Sequence, residues 1–212
     1  MSNEINVRYS ELAESSCCLS CGGALDKSDA SKGDVCIDLG SGRGTDALRL
    51  AEIVGPEGKV FGLDLSDGMI TKAKKTAERM GVKNVEFIQT DLSHIPLEEK
   101  TVDIIISNCV LNHVADKLQI WSEIHRVLKE GGSFTVSDIF SSKPVPEKYA
   151  NDPAAVAECW AGSVTKEVYL DTLSKAGFTD ITILEESEPY KKGEIEVSSF
   201  TITGSRTKCC TS

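Results

Sequence analysis

The 212-residue chain has no long apolar run. Its most apolar stretches, such as VDIIIS at 102–107, fall far short of the roughly 18–20 residues of a membrane-spanning helix. Positive charge is also scarce: 23 Lys and Arg face 33 Asp and Glu, giving a formal net charge of -10 and a pI near 4.9. Such a surface repels phosphate backbones and anionic lipid, which argues against nucleic-acid and membrane partners. The opening MSNEINVRYSELAESS is acidic and has no apolar core segment. It reads as neither a signal nor a transit peptide, so a cytoplasmic location is expected. No internal repeat and no low-complexity tract is present. Nor are there two C-x-x-C pairs, the spacing of common structural zinc sites.

What the chain does have is cysteine: eight in all, Cys17, Cys18, Cys21, Cys36, Cys109, Cys159, Cys209 and Cys210. In a reducing compartment such clusters point to a metal, a catalytic role or a redox role before disulfide staples. Zinc held between the termini is disfavoured, because adjacent cysteines chelate one tetrahedral ion poorly. Cys36 lies inside the apolar stretch VCIDL and is expected to be packing.

Hydrophobic patterning gives an alternating order of strands and helices. VCIDL (35–39) reads as a buried strand. A helix follows it with Ala47, Leu48, Ala51 and Val54 on one face, stopped at Gly55-Pro56. KVFGLDL (59–65) is a second strand, and Asp67 is the expected cap of a helix placing Met69, Ile70, Ala73, Ala77 and Met80 inward. NVEFIQ (84–89) and VDIIIS (102–107) are further strands, the latter apolar enough to be central. A helix over 116–129 turns Ile120, Ile124, Val127 and Leu128 inward and is closed by Gly131-Gly132, ahead of the strand SFTVSD (133–138). Thr165 should cap a helix carrying Val168, Leu170 and Leu173 that ends at Gly177. ITILEE and VSSFTITG, joined by a short link, should pair antiparallel. The fold class is therefore α/β, a doubly wound and mostly parallel sheet. Residues 140–164 break the rhythm, and an irregular insertion of that length is usually functional or mobile.

The first strand-turn-helix reads Asp38-Leu39-Gly40-Ser41-Gly42-Arg43-Gly44. Its G-x-G-x-G spacing differs from the G-x-G-x-x-G of a dinucleotide fingerprint. Asp38, two residues before the first glycine, would repel a pyrophosphate and suit an ammonium group. Asp64 ends the second strand, where an acid can take both ribose hydroxyls. Asp91 follows the third, where an adenine amino group would lie. Three acids ending three successive strands converge on the carboxyl edge, where such folds bind ligands.

VCIDLGSGRGTDALRLA, GKVFGLDLS, VEFIQTDLSHIPL and RVLKEGGSFTVSD together resemble the successive motifs of class I S-adenosylmethionine-dependent methyltransferases, over about residues 33–205. The resemblance implies a seven-stranded sheet with its last strand antiparallel (Rossmann-like). It also implies S-adenosylmethionine at Asp38, Gly40, Ser41, Gly42, Gly44, Asp64, Leu65, Met69, Asp91, Leu92 and Asn108.

The cysteines bear on the methyl acceptor. Cys109 ends the fourth strand in SNCVLN, Cys159 lies in the insertion, and Cys21 lies in an N-terminal segment able to fold back as a lid. This pattern resembles the arsenite methyltransferases, whose thiols follow Ser-Asn after strand four, follow a DP turn, and precede glycine near the N-terminus. That resemblance implies As(III) held by Cys109, Cys159 and an N-terminal thiol, matched best by Cys21, with Cys17 and Cys18 also open. It further implies arsenic detoxification, arsenite or its thiol conjugate as substrate, and thioredoxin or a small thiol as reductant. The segment after the fourth strand departs from the family in reading Leu-Asn-His. Because As(III) attacks through its lone pair, none of His94, His113 and His125 is needed as a base for methyl transfer, and His113 reads as packing or loop. The alternatives are a class I enzyme acting on carbon or oxygen of a small metabolite, such as a quinone precursor, and a thiol-rich scavenger without turnover. The expected organisation is a thiol-bearing lid (1–32), a cofactor-binding core (33–139), a substrate-side insertion (140–164), a helix and strands completing the sheet (165–205) and a Cys-Cys tail (206–212).

Overall fold

The computed structural model describes residues 6, 7, 9, 22–150, 152, 155 and 159–207. Strands β1 (Val35–Leu39), β2 (Lys59–Asp64), β3 (Val85–Gln89), β4 (Val102–Asn108) and β5 (Leu128–Ser141) are parallel. β8 (Ile195–Arg206) runs antiparallel between β5 and β6 (Phe178–Glu186), and the short β7 (Tyr190–Lys192) pairs with its start. The order is β3-β2-β1-β4-β5-β8-β6, with β7 alongside β8. The sheet thus has eight strands rather than seven. The extra one is β7, formed where the link between β6 and β8 folds into a hairpin, Tyr190 opposite Val197.

The longer helices among the described residues are α1 (Thr45–Val54), α2 (Asp67–Met80), α3 (Lys117–Val127) and α4 (Lys166–Lys175). α1 and α2 cover one face, where Ala47, Leu48, Ala51, Val54, Ile70 and Ala73 pack on Cys36, Val60 and Ile104. α3 and α4 cover the other through Ile120, Trp121, Ile124, Tyr169 and Leu173 against Ile37, Ile105 and Phe134. Central strands buried on both faces explain the near-continuous apolar runs of β1 and β4. Among the described residues no helix is long and apolar enough to cross a membrane.

Several expected details are corrected. Ser66, not Asp67, caps α2, its hydroxyl accepting from Met69 N at 3.2 Å. Met80, in the last turn of α2, is 61% exposed, and Val168 is 50% exposed while Tyr169 turns inward. α3 stops at Val127 because Leu128 pairs with Val102 and opens β5; the Gly131-Gly132 pair lies inside that strand, beside an irregularity in the β4–β5 register. The cap at Thr165 and the antiparallel β6–β8 pair are as the sequence indicates, and Asp116 caps α3 by accepting from Gln119 N.

Candidate active site

The carboxyl edge of β1 and β2 is built around the glycine turn. Gly40 has φ +71, and a Cβ there would lie 2.1 Å from Val110 Cγ2, so only glycine fits. Gly40 N and Ser41 N both donate to Leu63 O (2.7 and 2.9 Å), tying the turn to β2. Gly44 precedes α1 and packs on Phe87, whereas nothing lies within 4 Å of a Cβ built on Gly42. The turn is therefore closed at both ends and open in the middle. Ser41 Oγ is buried there without a hydrogen-bond partner among the described residues.

Two of the expected acids meet at this turn. Asp64 accepts from Gly42 N and Ser66 N, both at 2.8 Å. Burial pushes its carboxyl up, opposed by the backbone N–H groups of Ser66, Gly42 and Leu65. Asp38 is 3% exposed, and its carboxyl is pushed well above the usual range, by burial first and then by the charges of Asp46 and Asp64. Asp46, in the first turn of α1, was not singled out in the sequence, where an acid at that position reads as ordinary helix-terminus chemistry. It accepts from Asn108 Nδ2 at 2.9 Å. Leu65 follows Asp64 at the edge, and Met69 is buried in the first turns of α2. Leu92 packs in the core with Leu63 and Ile95. Asp91 is exposed and accepts from Ser93 N at 2.9 Å within its own loop.

The second half of the site lies beyond β4. Cys109 and Cys159 hold φ of +55 and +68, the left-handed region that non-glycine residues seldom occupy. Cys109 N donates to Ser137 O at 2.8 Å. Cys159 Sγ lies 3.1 Å from Cys109 O and 3.2 Å from His113 Nε2. The insertion is seated by Gly162, where a Cβ would lie 1.9 Å from Asn112 O, and by Trp160, which packs with Ile139, Ile195 and Val197. Both cysteines line one cavity of about 680 Å³, shared with Gly22, Ser137, Asp138 and Tyr190.

Asn108 joins the two halves. While its amide donates to Asp46, its Oδ1 accepts from Ala24 N at 3.2 Å. A Cβ on Gly22 would meet that oxygen at 2.4 Å and Ser137 Cβ at 2.3 Å. Gly22 thus sits in the cavity, between Asn108 and Ser137. Cys21, Cys17, Cys18, Cys209 and Cys210 lie outside the described residues. Among the described residues no three His, Cys, Asp or Glu side chains are grouped to hold a metal ion. Cys36 is core, its thiol pushed up to about 12 by burial and then by Asp34 and Asp103.

Three further residues support the thiols and were not singled out as site residues. Buried Asp138 accepts from Asn112 N (3.1 Å), Asn112 Nδ2 (2.7 Å) and Ile139 N (3.0 Å). Its carboxyl is pushed up by burial, opposed by Lys117 and His113. Lys117 Nζ donates to the carbonyls of Leu111, Asn112 and Val114, fixing the 3-10 turn Leu111–His113; burial pushes its ammonium down. His113, read from the sequence as packing or loop, touches the Cys159 thiol. Tyr9 OH lies 3.2 Å from the same nitrogen.

The strand order, the antiparallel β8 and a glycine turn beneath convergent acids define the class I methyltransferase fold. The chain belongs to the methyltransferase domain family, whose profile matches residues 30–177. It is 34% identical over 170 residues to the arsenite methyltransferase of Halobacterium salinarum, covering 80% of this chain and 44% of that protein. With human arsenite methyltransferase it shares 35% identity over 151 residues, 67% of this chain and 40% of that one. A crystal structure of an arsenic (III) S-adenosylmethionine methyltransferase from Chlamydomonas reinhardtii matches with a TM-score of 0.77 at 28% identity, over 96% of this chain and 74% of that one. The chain spans under half the length of the curated arsenite methyltransferases it matches.

Proposed function

We propose that this chain transfers a methyl group from S-adenosylmethionine to trivalent arsenic held by Cys109, Cys159 and Cys21. The observation that carries the reading is that two cysteines, far apart in sequence and both left-handed, line one cavity, which Asn108 links to the acids of the glycine turn by bonding both Asp46 and Ala24 N. Backbone strain of this kind persists where the surroundings impose it, and it clusters at functional sites. The names of the relatives support the same substrate.

The residues at the edge fit the cofactor. Asp38, crowded by Asp46 and Asp64, favours a cation, and an α-ammonium group supplies one. Asp64 has carboxylate lone pairs left for ribose hydroxyls, and the open middle of the turn at Gly42 admits the ligand. Asp91 is assigned to the adenine amino group. Leu65, Met69 and Leu92 would shape the apolar side of that pocket, and Asn108 orients the Asp46 carboxylate. When bound, S-adenosylmethionine supplies an electrophilic methyl group on a sulfonium.

As(III) is soft and prefers thiolates. Held by them, arsenic would take the bound cofactor's methyl group through its lone pair, and no proton would leave the nucleophile, so the protein's task in that step would be alignment. Gly22, immediately after Cys21, is seated on Asn108 and Ser137 in the same cavity, which supports Cys21 as the third thiol. Methyl transfer leaves arsenic formally oxidised, so a dithiol protein such as thioredoxin, or a small thiol, returns the two electrons. Arsenic detoxification in the cytoplasm is the corresponding role.

The test is to incubate the pure chain with arsenite, a thiol and S-adenosylmethionine, and to separate the arsenic species. One S-adenosylhomocysteine should form for each methyl group found on arsenic. Cys109→Ser should lower the rate by more than about 100-fold while leaving S-adenosylmethionine affinity unchanged. Equal loss of cofactor binding would make Cys109 structural, and turnover of a quinol but not arsenite would replace the reading.

A further inference from the structure

Bond formation between a thiol and arsenite must dispose of a proton. The Cys159 S–H group donates to Cys109 O at 3.1 Å and has His113 Nε2 at 3.2 Å, an acceptor in the tautomer that carries the ring proton on Nδ1. A peptide carbonyl can accept the hydrogen bond but cannot carry the proton away; an imidazole nitrogen can do both. We propose that His113 is a catalytic residue of substrate loading, taking the Cys159 thiol proton at Nε2 as sulfur bonds to arsenic and returning it to the hydroxyl that arsenic loses. The inference rests on the arsenic reading of the cavity and adds a step that precedes methyl transfer.

The surroundings suit that role. The Lys117 ammonium, bonded to three carbonyls around Leu111–Val114, fixes the turn that presents the imidazole. Buried Asp138 and Asp64 both interact electrostatically with His113 in the direction that favours an imidazolium, although burial raises both carboxyls and Lys117 beside Asp138 opposes the effect. Tyr9 OH reaches the same nitrogen at 3.2 Å with its ring edge-on to the imidazole, which brings the N-terminal chain to the loading site. The step balances without any redox partner. The sulfur pair forms the S–As bond, the As–O bond breaks, and the departing hydroxyl leaves as water with the proton from Nε2. Arsenic remains trivalent throughout.

The decisive measurement is the rate of arsenite binding in the absence of S-adenosylmethionine, followed by the ultraviolet absorbance of arsenic–sulfur bonds in stopped flow. His113→Ala should slow binding by about 100-fold, and imidazole in the buffer should restore at least a tenth of the lost rate. His113→Gln keeps hydrogen-bonding capacity but cannot hold a proton, so it should be as slow as His113→Ala. In a Cys159→Ser background, His113→Ala should add nothing further. A His113→Gln variant as fast as the unaltered chain, or a slow His113→Ala variant that imidazole leaves unchanged, would overturn the role of His113 alone. Absence of any arsenic–sulfur signal in the unaltered chain would overturn the arsenic reading, and His113's role with it.

Discussion

The turns that follow β1 and β4 leave the same edge of the sheet, and each opens on a left-handed residue. After β1 that residue is Gly40, at φ +71; after β4 it is Cys109, at φ +55. Gly40 has no room for a side chain, because Val110 fills the space, whereas Cys109 keeps its side chain at the edge of an open cavity. The first turn is shaped for close packing, the second around a functional group at a cost of roughly 1–3 kcal/mol in backbone strain. Glycine would satisfy the backbone after β4 better than cysteine does. That cysteine stands there points to a use for the sulfur.

Substitution of these two residues separates packing from function. The largest effect on stability is expected from Gly40→Ala, which adds an overpacked Cβ to a strained φ and should cost about 3 kcal/mol by denaturant titration. Pairing it with Val110→Ala should recover the overpacking part only. A loss below about 1 kcal/mol for the single variant would mean that the turn is not closely packed.

Asp38→Asn comes next. It should weaken S-adenosylmethionine binding by about 30-fold, a charge-assisted contact of roughly 2 kcal/mol, without changing arsenite binding. It should also raise the melting temperature of the ligand-free protein at pH 7. The Asp38 carboxyl is pushed up by burial and by neighbouring acids, so its folded form binds a proton more readily than the unfolded chain. Its favourable term is complete below about pH 4, the ordinary carboxylate value, and is lost as pH rises through the higher folded value. The variant should therefore lose part of the fall in stability seen on raising the pH. A lower melting temperature at pH 7 would show that the carboxylate supports the fold instead.

Cys109→Gly should have the smallest effect on stability and the opposite sign: a gain of about 1 kcal/mol, together with loss of arsenite methylation. A destabilised Cys109→Gly variant would remove the contrast between the two turns.

The same contrast explains how much was legible in the sequence. Asp38, Gly40, Gly42 and Gly44 lie within one short stretch, so spacing alone places them on one turn, and Asp64 follows from the next strand. The thiol side is assembled across distance: Cys159 reaches His113 over a separation of 46 residues and Cys109 over 50. No periodicity carries such a pairing. His113 therefore read as an ordinary loop residue, although it touches the sulfur. Asp138 and Lys117 carry no distinct sequence signal, because charged residues near element ends are common, and only burial marks this pair. At the helix boundaries, local signals were ambiguous: Ser66 and Asp67 are both good caps, and Leu128 continues the helical spacing until its pairing with Val102 is known.

The central claim is that sulfur atoms from separate segments converge on one arsenic. A crystal of the full chain soaked in arsenite, with data collected at the arsenic absorption edge, tests it most directly. The account predicts a single anomalous peak in the cavity, within bonding distance of Cys109 Sγ and Cys159 Sγ together. Arsenic bound at only one of these sulfurs, or at each of them separately, would contradict it.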